Sequence, residues 1–309
     1  MRGASRLNIF VTGGTGFIGS ALVKRLVQEG HTVWVLSRHE QKSSTSVKYI
    51  KTPLLGQPLS SAVFDSVDAV INLAGENIAG KRWSEQVKKD IVVSRLNTTS
   101  TIVEKLKEVA RKQKKPLSLL NASAIGFYGT SLQKTFTEDS GPGKGFLANL
   151  CQEWEAEALK AKEWGVSVAL LRFGMVLGPN GGALKSMALP VQWAVGGIIG
   201  EGNQWISWIH RDDLINGIIW ALDKKKEGPL NLVSPQPVTM KSFMEELGRS
   251  LNRPSWTALP APLAKLLFGE MAQEMLLEGQ KVIPQRLSEA GFTFTYSQLD
   301  RALQAIYSK

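Results

Sequence analysis

The stretch Val11-Thr-Gly-Gly-Thr-Gly-Phe-Ile-Gly19 constrains the fold of this chain more than any other. A short apolar run, Leu7-Asn-Ile-Phe-Val11, precedes it and predicts a buried strand. Ala21-Leu-Val-Lys-Arg-Leu-Val27 follows with helical apolar spacing and ends near Gly30. Strand, glycine turn and helix, in that order, form the context in which a glycine-rich stretch serves a dinucleotide. Gly13 permits the tight turn, Gly16 lets backbone approach a pyrophosphate, and Gly19 lets helix and strand pack closely. The helix start then offers free N–H groups and the positive end of a dipole to phosphates.

The first half of the chain alternates strand and helix patterns, which predicts a parallel sheet covered on both faces. His31-Thr-Val-Trp-Val-Leu36 reads as a second strand, Val47-Lys-Tyr-Ile50 as a weak third and Asp68-Ala-Val-Ile-Asn-Leu-Ala-Gly75 as a fourth. One long helix is expected from Trp83 to about Lys112. A fifth strand follows at Leu117–Ser123, a helix at Leu147–Glu163 and a sixth strand at Val166–Arg172. From Gly174 glycine-rich connections, Gly178–Ala183 and Val195–Gly202, flank a helical piece at Leu184–Trp193. Trp205–Ile209 reads as a strand, Asp212–Leu222 as a helix and Pro229–Val233 as the last core strand. The tail, Thr239–Lys309, reads as helices broken at Pro254, Pro260, Pro262 and Pro284, closing over the C-terminal edge of the sheet.

A chain of 309 residues, 43% hydrophobic and 21% charged, buries a large core in one or two domains. Its formal charge of +10 raises the question of nucleic acid or an anionic membrane. The basic residues are scattered, however: Lys88-Lys89, Lys105 to Lys115 and Lys224-Lys225-Lys226 are assigned to separate helices, with no aromatic-interleaved basic strip. The single cysteine, Cys151, excludes an internal disulfide and fits a reducing compartment. His31, His39 and His210 show no metal-ligand spacing. The basic start, Met1 to Arg6, leads to no hydrophobic leader segment, and no run reaches the roughly 20 apolar residues of a spanning helix. A cytoplasmic protein with no membrane and no nucleic-acid partner is expected.

Ligands of open parallel sheets bind beyond the C-terminal ends of the strands. The second strand ends in Ser37-Arg38, where an NAD site would carry an acidic residue for the ribose 2′-OH. A hydroxyl and a guanidinium suit a 2′-phosphate, so NADP(H) is expected over NAD(H). The fourth strand ends in Leu73-Ala74-Gly75, small enough to let backbone approach the adenosine part.

The chain at this point resembles the extended short-chain dehydrogenase/reductase family. The resemblance is carried by Gly13–Gly19, Asn72-Leu-Ala-Gly75, Ala122-Ser-Ala-Ile-Gly-Phe-Tyr-Gly129, Arg172-Phe-Gly-Met-Val-Leu-Gly178 and Trp208-Ile-His-Arg-Asp-Asp213. More narrowly it resembles the atypical epimerase-family branch with a characteristic C-terminal domain, labelled cell-division-inhibitor-like. Gly75-Glu-Asn-Ile78, Ser94-Arg-Leu-Asn-Thr-Thr99, Phe146-Leu-Ala, Trp154-Glu155 and the tail Leu276-Leu-Glu-Gly-Gln-Lys-Val-Ile-Pro-Gln-Arg286 carry that match. The resemblance implies an α/β Rossmann fold, a doubly wound parallel sheet with a smaller, mostly helical C-terminal lobe. The NADP-binding domain is expected to take residues 1–173 and 209–234, and the substrate lobe 174–208 and 235–309. The resemblance also implies NADP(H) contacts from the backbone of Thr15, Gly16, Phe17 and Ile18, and from Ser37, Arg38, Leu73, Ala74, Asp90, Arg95 and Val176. For Asp90 and Arg95 a surface helical ion pair is the competing reading.

The same family works with Ser or Thr at the end of strand five and a Tyr-x-x-x-Lys helix. Lysine and cofactor ribose lower the tyrosine pKa, so that a proton moves while hydride is exchanged with nicotinamide. Ser123 matches the first position as the candidate catalytic residue. Aligned through Glu155, the Tyr and Lys places fall on Leu147 and Cys151, and neither replaces a phenol or an ammonium. Tyr128 reads as a packing residue, Glu76 as an exposed carboxylate, His210 and Asp213 as capping and orienting groups, and Cys151 as a buried small residue. Trp193, Trp205 and Trp208 either wall a substrate pocket or pack in the core. Arg286 and Lys281 either meet an anionic substrate or face water.

Two functions remain open from sequence. One is an NADP(H)-dependent oxidoreductase or nucleotide-sugar-epimerase-like enzyme, acting on a small molecule through a degenerate relay. The other is a non-catalytic NADP(H)-binding regulator, related to cell division, that works through a protein partner. A homodimer is compatible with either.

Overall fold

The computed structural model describes residues 6–51, 61–113, 115–255 and 257–307. Residues 1–5 of the basic start, Lys114 of the Lys105–Lys115 run and the last two residues lie outside that description.

The glycine turn joins β1 (Asn8–Thr12) to α1 (Gly19–Gln28), as the spacing requires. After them come β2 (Thr32–Ser37), β3 (Val47–Lys51), α2 (Ser61–Phe64), β4 (Ala69–Asn72), α3 (Glu85–Lys112) and β5 (Ser118–Ala124). The chain continues through β6 (Ser131–Phe136), α4 (Phe146–Leu159), β7 (Ser167–Phe173), β8 (Met175–Leu177), α5 (Gly182–Gln192) and β9 (Gly197–Ile199). Next are β10 (Trp205–Ile206), β11 (Trp208–His210), α6 (Arg211–Asp223), β12 (Gly228–Leu232), β13 (Val238–Thr239) and α7 (Met240–Leu251). The tail carries β14 (Thr257–Leu259), α8 (Ala261–Phe268), α9 (Glu270–Ala272), β15 (Gln280–Val282), α10 (Gln285–Glu289) and α11 (Leu299–Tyr307).

Seven strands form one parallel sheet in the order β12-β7-β5-β4-β1-β2-β3. Chain order reverses between β1 and β4, and the crevice beyond their C-terminal ends is the place where such sheets bind ligands. Each central strand is buried on both faces because its alternate side chains enter two cores. Ile9 and Val11 join Leu22, Leu26, Leu214 and Ile218 on one face. Phe10 joins Phe64, Ile102, Leu106 and Ala158 on the other. This is the doubly wound α/β fold expected from the alternation.

A third core, around Trp208, Phe243, Leu247, Leu299 and Leu303, lies outside the sheet. There the run Trp205–Ile209 is not one strand. It breaks at Ser207 because β10 pairs with β13 whereas β11 pairs with β8, and the Ser207 hydroxyl donates to Gln280 O and accepts from Val282 N. The expected helix at Leu147–Glu163 tightens after Leu159 into a 3₁₀ turn, Lys160–Trp164. The lysines at 88–89 and those within 105–112 are not on separate helices: both groups ride on α3, uninterrupted over 28 residues. Lys224–Lys226 follow the last residue of α6.

Candidate functional site

The fingerprint glycines sit where no side chain fits. Gly13 has φ +66°, and a Cβ there would lie 2.7 Å from Leu73 O, so the turn is pressed onto the end of β4. A Cβ on Gly19 would lie 2.2 Å from Gly13 O, which brings the start of α1 onto the turn. Gly16 is exposed and donates to Gly13 O at 3.0 Å.

The N-terminus of α1 has no side-chain cap, whereas Ser84, His210 and Thr239 cap α3, α6 and α7. Among the described residues nothing takes up the N–H groups of Thr15, Phe17 or Ile18. Free N–H groups at a helix start, with the dipole behind them, form an anion site.

Around this turn the structure gathers most of the predicted residues. Leu73 and Ala74 follow β4, and the Ala74 N–H donates to Thr12 Oγ1 at 3.3 Å. Gly75 lies against Arg95, whose Cζ would be 2.9 Å from a Cβ there. Arg95 donates to the main-chain carbonyls of Ile91 and Glu76, both at 3.1 Å, and lies 5.1 Å from the centre of the Trp154 ring. Burial pulls its pKa below the ordinary guanidinium value, and the group stays charged. Among the described residues it forms no ion pair with Asp90, which is exposed and accepts from Gln86 Nε2 at 2.7 Å, so the ion-pair reading does not match the geometry.

At the end of β2, Ser37 is buried and its hydroxyl donates to His39 O at 2.7 Å, closing the turn that presents Arg38. Arg38 is 63% exposed and meets Glu76 at 3.4 Å. Val176, on β8, borders the glycine loop 178–182, since a Cβ on Gly182 would lie 3.0 Å from Val176 O.

Behind these residues lies a buried polar ladder that sequence reasoning missed. Thr12 Oγ1 donates to Asn72 Oδ1 (2.6 Å), and Asn72 Nδ2 donates to Asn121 Oδ1 (2.7 Å) and Thr99 Oγ1 (3.0 Å). The available signal was an asparagine near the end of two adjacent apolar strands.

Ser123, two residues after Asn121, belongs to a second cluster. It is 3% exposed, and its hydroxyl donates to Glu155 Oε1 at 2.7 Å. Arg172 grips both oxygens of Glu155, through Nε at 2.8 Å and Nη2 at 2.7 Å, and donates to Tyr128 Oη at 2.9 Å. Burial opposes the charge on Arg172, but Glu155 outweighs it and the guanidinium pKa is raised. Tyr128 donates in turn to Asn231 Oδ1 at 2.7 Å, and burial raises its pKa.

Leu147 and Cys151 do face the end of β5. A Cβ on Gly126 would lie 3.2 Å from Leu147 Cβ and 3.9 Å from Cys151 Sγ. Burial, reinforced by the Glu155 charge, pushes the Cys151 thiol up to about 11, so it is protonated at neutral pH. Glu274, from the tail, caps α4 by accepting from the N–H groups of Phe146 (2.9 Å) and Leu147 (3.0 Å).

The remaining candidates make contacts within the protein or lie at its surface. His210 Nδ1 accepts from Asp212 N at 3.2 Å, and Asp213 accepts from the N–H groups of Thr295 and Tyr296. Arg286 is held by Asp139 (2.8 Å) and Pro229 O (3.1 Å), and Lys281 lies over the Trp205 ring. Trp208 is fully buried and Trp193 is 73% exposed. Among the described residues no group of His, Cys, Asp and Glu could hold a metal ion, and no helix is long and apolar enough to cross a membrane.

Comparison with known proteins agrees with this arrangement. A model of the NAD dependent epimerase/dehydratase family matches residues 9–233, and a domain of unknown function, DUF1731, matches residues 259–306. The chain is 42% identical over 306 residues to Epimerase family protein SDR39U1 homolog, chloroplastic, of Arabidopsis thaliana, covering 98% of this chain and 87% of the relative. It is 39% identical to Epimerase family protein YfhF of Bacillus subtilis, covering 97% of this chain and 98% of that one. The crystal structure of human epimerase family protein SDR39U1 (isoform2) with NADPH is similar at a TM-score of 0.87 and 34% identity, over 98% of this chain and 100% of that chain. With the family model spanning the whole sheet and relatives aligned nearly end to end, the chain belongs to the NAD dependent epimerase/dehydratase family.

Proposed function

We propose that the chain binds NADP(H) at the crevice between β1 and β4, as an oxidoreductase or epimerase-type protein whose proton relay is not a Tyr–Lys pair. The observation that carries this reading is the uncapped start of α1, with free N–H groups at Thr15, Phe17 and Ile18 beside the side-chain-free cradle at Gly13 and Gly19. A relative 34% identical to this chain is solved with NADPH, which supports the choice of cofactor.

Arg38 would exchange Glu76 for the 2′-phosphate, and Ser37 would reach the same phosphate by turning its hydroxyl away from His39 O. Leu73, Ala74 and Gly75 would flank the adenosine, with Arg95 behind them and Val176 on the opposite side. Asp90 would take part only from the rim.

When bound, the nicotinamide supplies or takes up hydride. Ser123 is the proposed catalytic hydroxyl. With its proton committed to Glu155 it offers lone pairs, and so orients a substrate hydroxyl. Leu147 and Cys151 supply neither proton nor charge at neutral pH, so the proton would pass through water or the substrate itself. Residues 174–208 and 235–309 would form the substrate side, and the lone buried thiol fits a cytoplasmic setting.

The test follows NADPH oxidation with a panel of carbonyl compounds and, because epimerisation leaves the cofactor unchanged overall, stereoisomer interconversion of nucleotide sugars in the presence of NADP(H). Turnover of at least one is expected, and none above background across the panel would sink the enzymatic reading. A second reading, an NADP(H)-responsive regulator, is favoured by one observation. Leu147, at the tyrosine place, packs in an apolar cluster with Phe268, Met271 and Met275 of the tail. It predicts a protein partner captured only with, or only without, NADPH, and cofactor-independent capture would count against it.

A further inference from the structure

Phe17, inside the glycine fingerprint, is enclosed by a second glycine loop. Cβ atoms on Gly178, Gly181 and Gly182 would lie 3.0, 2.4 and 3.1 Å from atoms of its ring. Beside Gly178 stands Arg211, the first residue of α6, with its guanidinium carbon 5.3 Å from the centre of the Phe17 ring. Its Cβ would touch a Cβ on Gly178 at 3.1 Å, so loop, ring and arginine are packed as one unit.

The charge of Arg211 is poorly compensated. Its Nε is buried without any hydrogen-bond partner, and the nearest carboxylate, Asp212, is 4.0 Å away and 56% exposed. A guanidinium left short of partners costs stability unless something supplies them. Its guanidinium lies over the ring of Phe17, a residue of the same turn whose N–H groups at Thr15, Phe17 and Ile18 have no partner among the described residues. A guanidinium short of partners and an uncapped helix start, joined through one residue of the turn, together suit an anion of more than one charge.

From this geometry we infer that Arg211 is a cofactor-binding residue that contacts the diphosphate of the dinucleotide from the side of the 178–182 loop. The inference rests on the NADP(H) reading above. It separates two roles, with Arg38 for the 2′-phosphate and Arg211 for the diphosphate.

Calorimetric titration of the full-length chain with three ligands tests it. NADPH carries both groups, ADP-ribose carries only the diphosphate, and adenosine 2′-monophosphate carries only the 2′-phosphate. Arg211→Gln is expected to weaken NADPH and ADP-ribose about tenfold or more, as the loss of a charged hydrogen bond implies, and to leave adenosine 2′-monophosphate unchanged. Arg211→Lys, which keeps the charge, should restore part of the loss and flatten the salt dependence less than the glutamine variant. Unchanged NADPH affinity in Arg211→Gln would overturn the inference, as would an equal loss for all three ligands, which marks a purely structural role. If the unaltered chain binds ADP-ribose and NADPH not at all, the cofactor reading itself fails and takes this inference with it.

Discussion

Replacing Glu155 by alanine is expected to be among the most damaging single changes in this protein. The carboxylate is nearly inaccessible, with side-chain exposures of 6% for Glu155 and 4% for Arg172. It accepts two hydrogen bonds from Arg172 and one from Ser123. Its removal leaves a buried guanidinium that keeps, among the described residues, the Tyr128 hydroxyl and the faces of Phe127 and Tyr128, 3.5 and 5.0 Å away. Stranding a buried charge in this way costs about 3–5 kcal/mol, against a total stability of about 5–15 kcal/mol. Urea denaturation followed by circular dichroism reads the loss as a lower midpoint with unchanged slope. The paired change Glu155→Leu with Arg172→Met removes both charges and should cost less than Glu155→Ala alone. A loss below about 1 kcal/mol for Glu155→Ala, or a double variant worse than the sum of the singles, would refute the buried-pair account.

Gly19→Ala places a methyl 2.2 Å from a backbone oxygen that cannot swing away, so a loss of about 1–3 kcal/mol and weakened NADPH binding are expected by thermal shift and titration. Cys151, 3% exposed with its thiol pushed up to about 11, should resist a thiol reagent in the native protein at pH 7.5 and react on unfolding. Fast native labelling would contradict this placement. Burial lowers the His210 pKa, and its Nδ1 must stay unprotonated to cap α6. Because the folded value lies below the unfolded value of about 6.5, this contribution is complete above that pH and is lost as pH falls toward the folded value. His210→Asn should therefore flatten the fall in stability between pH 7 and 5, and an unchanged slope would exclude His210 as its source.

The fold was legible wherever burial on both faces writes itself into composition. The apolar runs of β1, β2, β4, β5 and β7 could only be central strands, and the fingerprint located the first crossover. What escaped was set by distant partners. β6, Ser-Leu-Gln-Lys-Thr-Phe, has no strand pattern of its own and exists because β15, far along the chain, pairs with it. The break at Ser207 follows from the same cause, since its hydroxyl answers Gln280 and Val282. In the turn after β1, the need for Gly13 and Gly19 was legible because backbone sterics are local facts. The packing of Arg211 was not legible, since it depends on a ring and a loop brought to it from two other parts of the chain.

In the proposed cofactor reading, the crevice between β1 and β4 holds NADP(H) and Arg38 selects its 2′-phosphate. Titrating NADPH and NADH against the unaltered chain and Arg38→Ala tests it most directly. Arg38 is 63% exposed, and its side chain belongs to none of the hydrophobic cores, so the variant should fold normally. The expected result is a clear preference for NADPH that falls about tenfold or more in Arg38→Ala, while NADH affinity stays put. Equal affinities for the two cofactors in the unaltered chain, or an Arg38→Ala variant that keeps the full preference, would contradict the account.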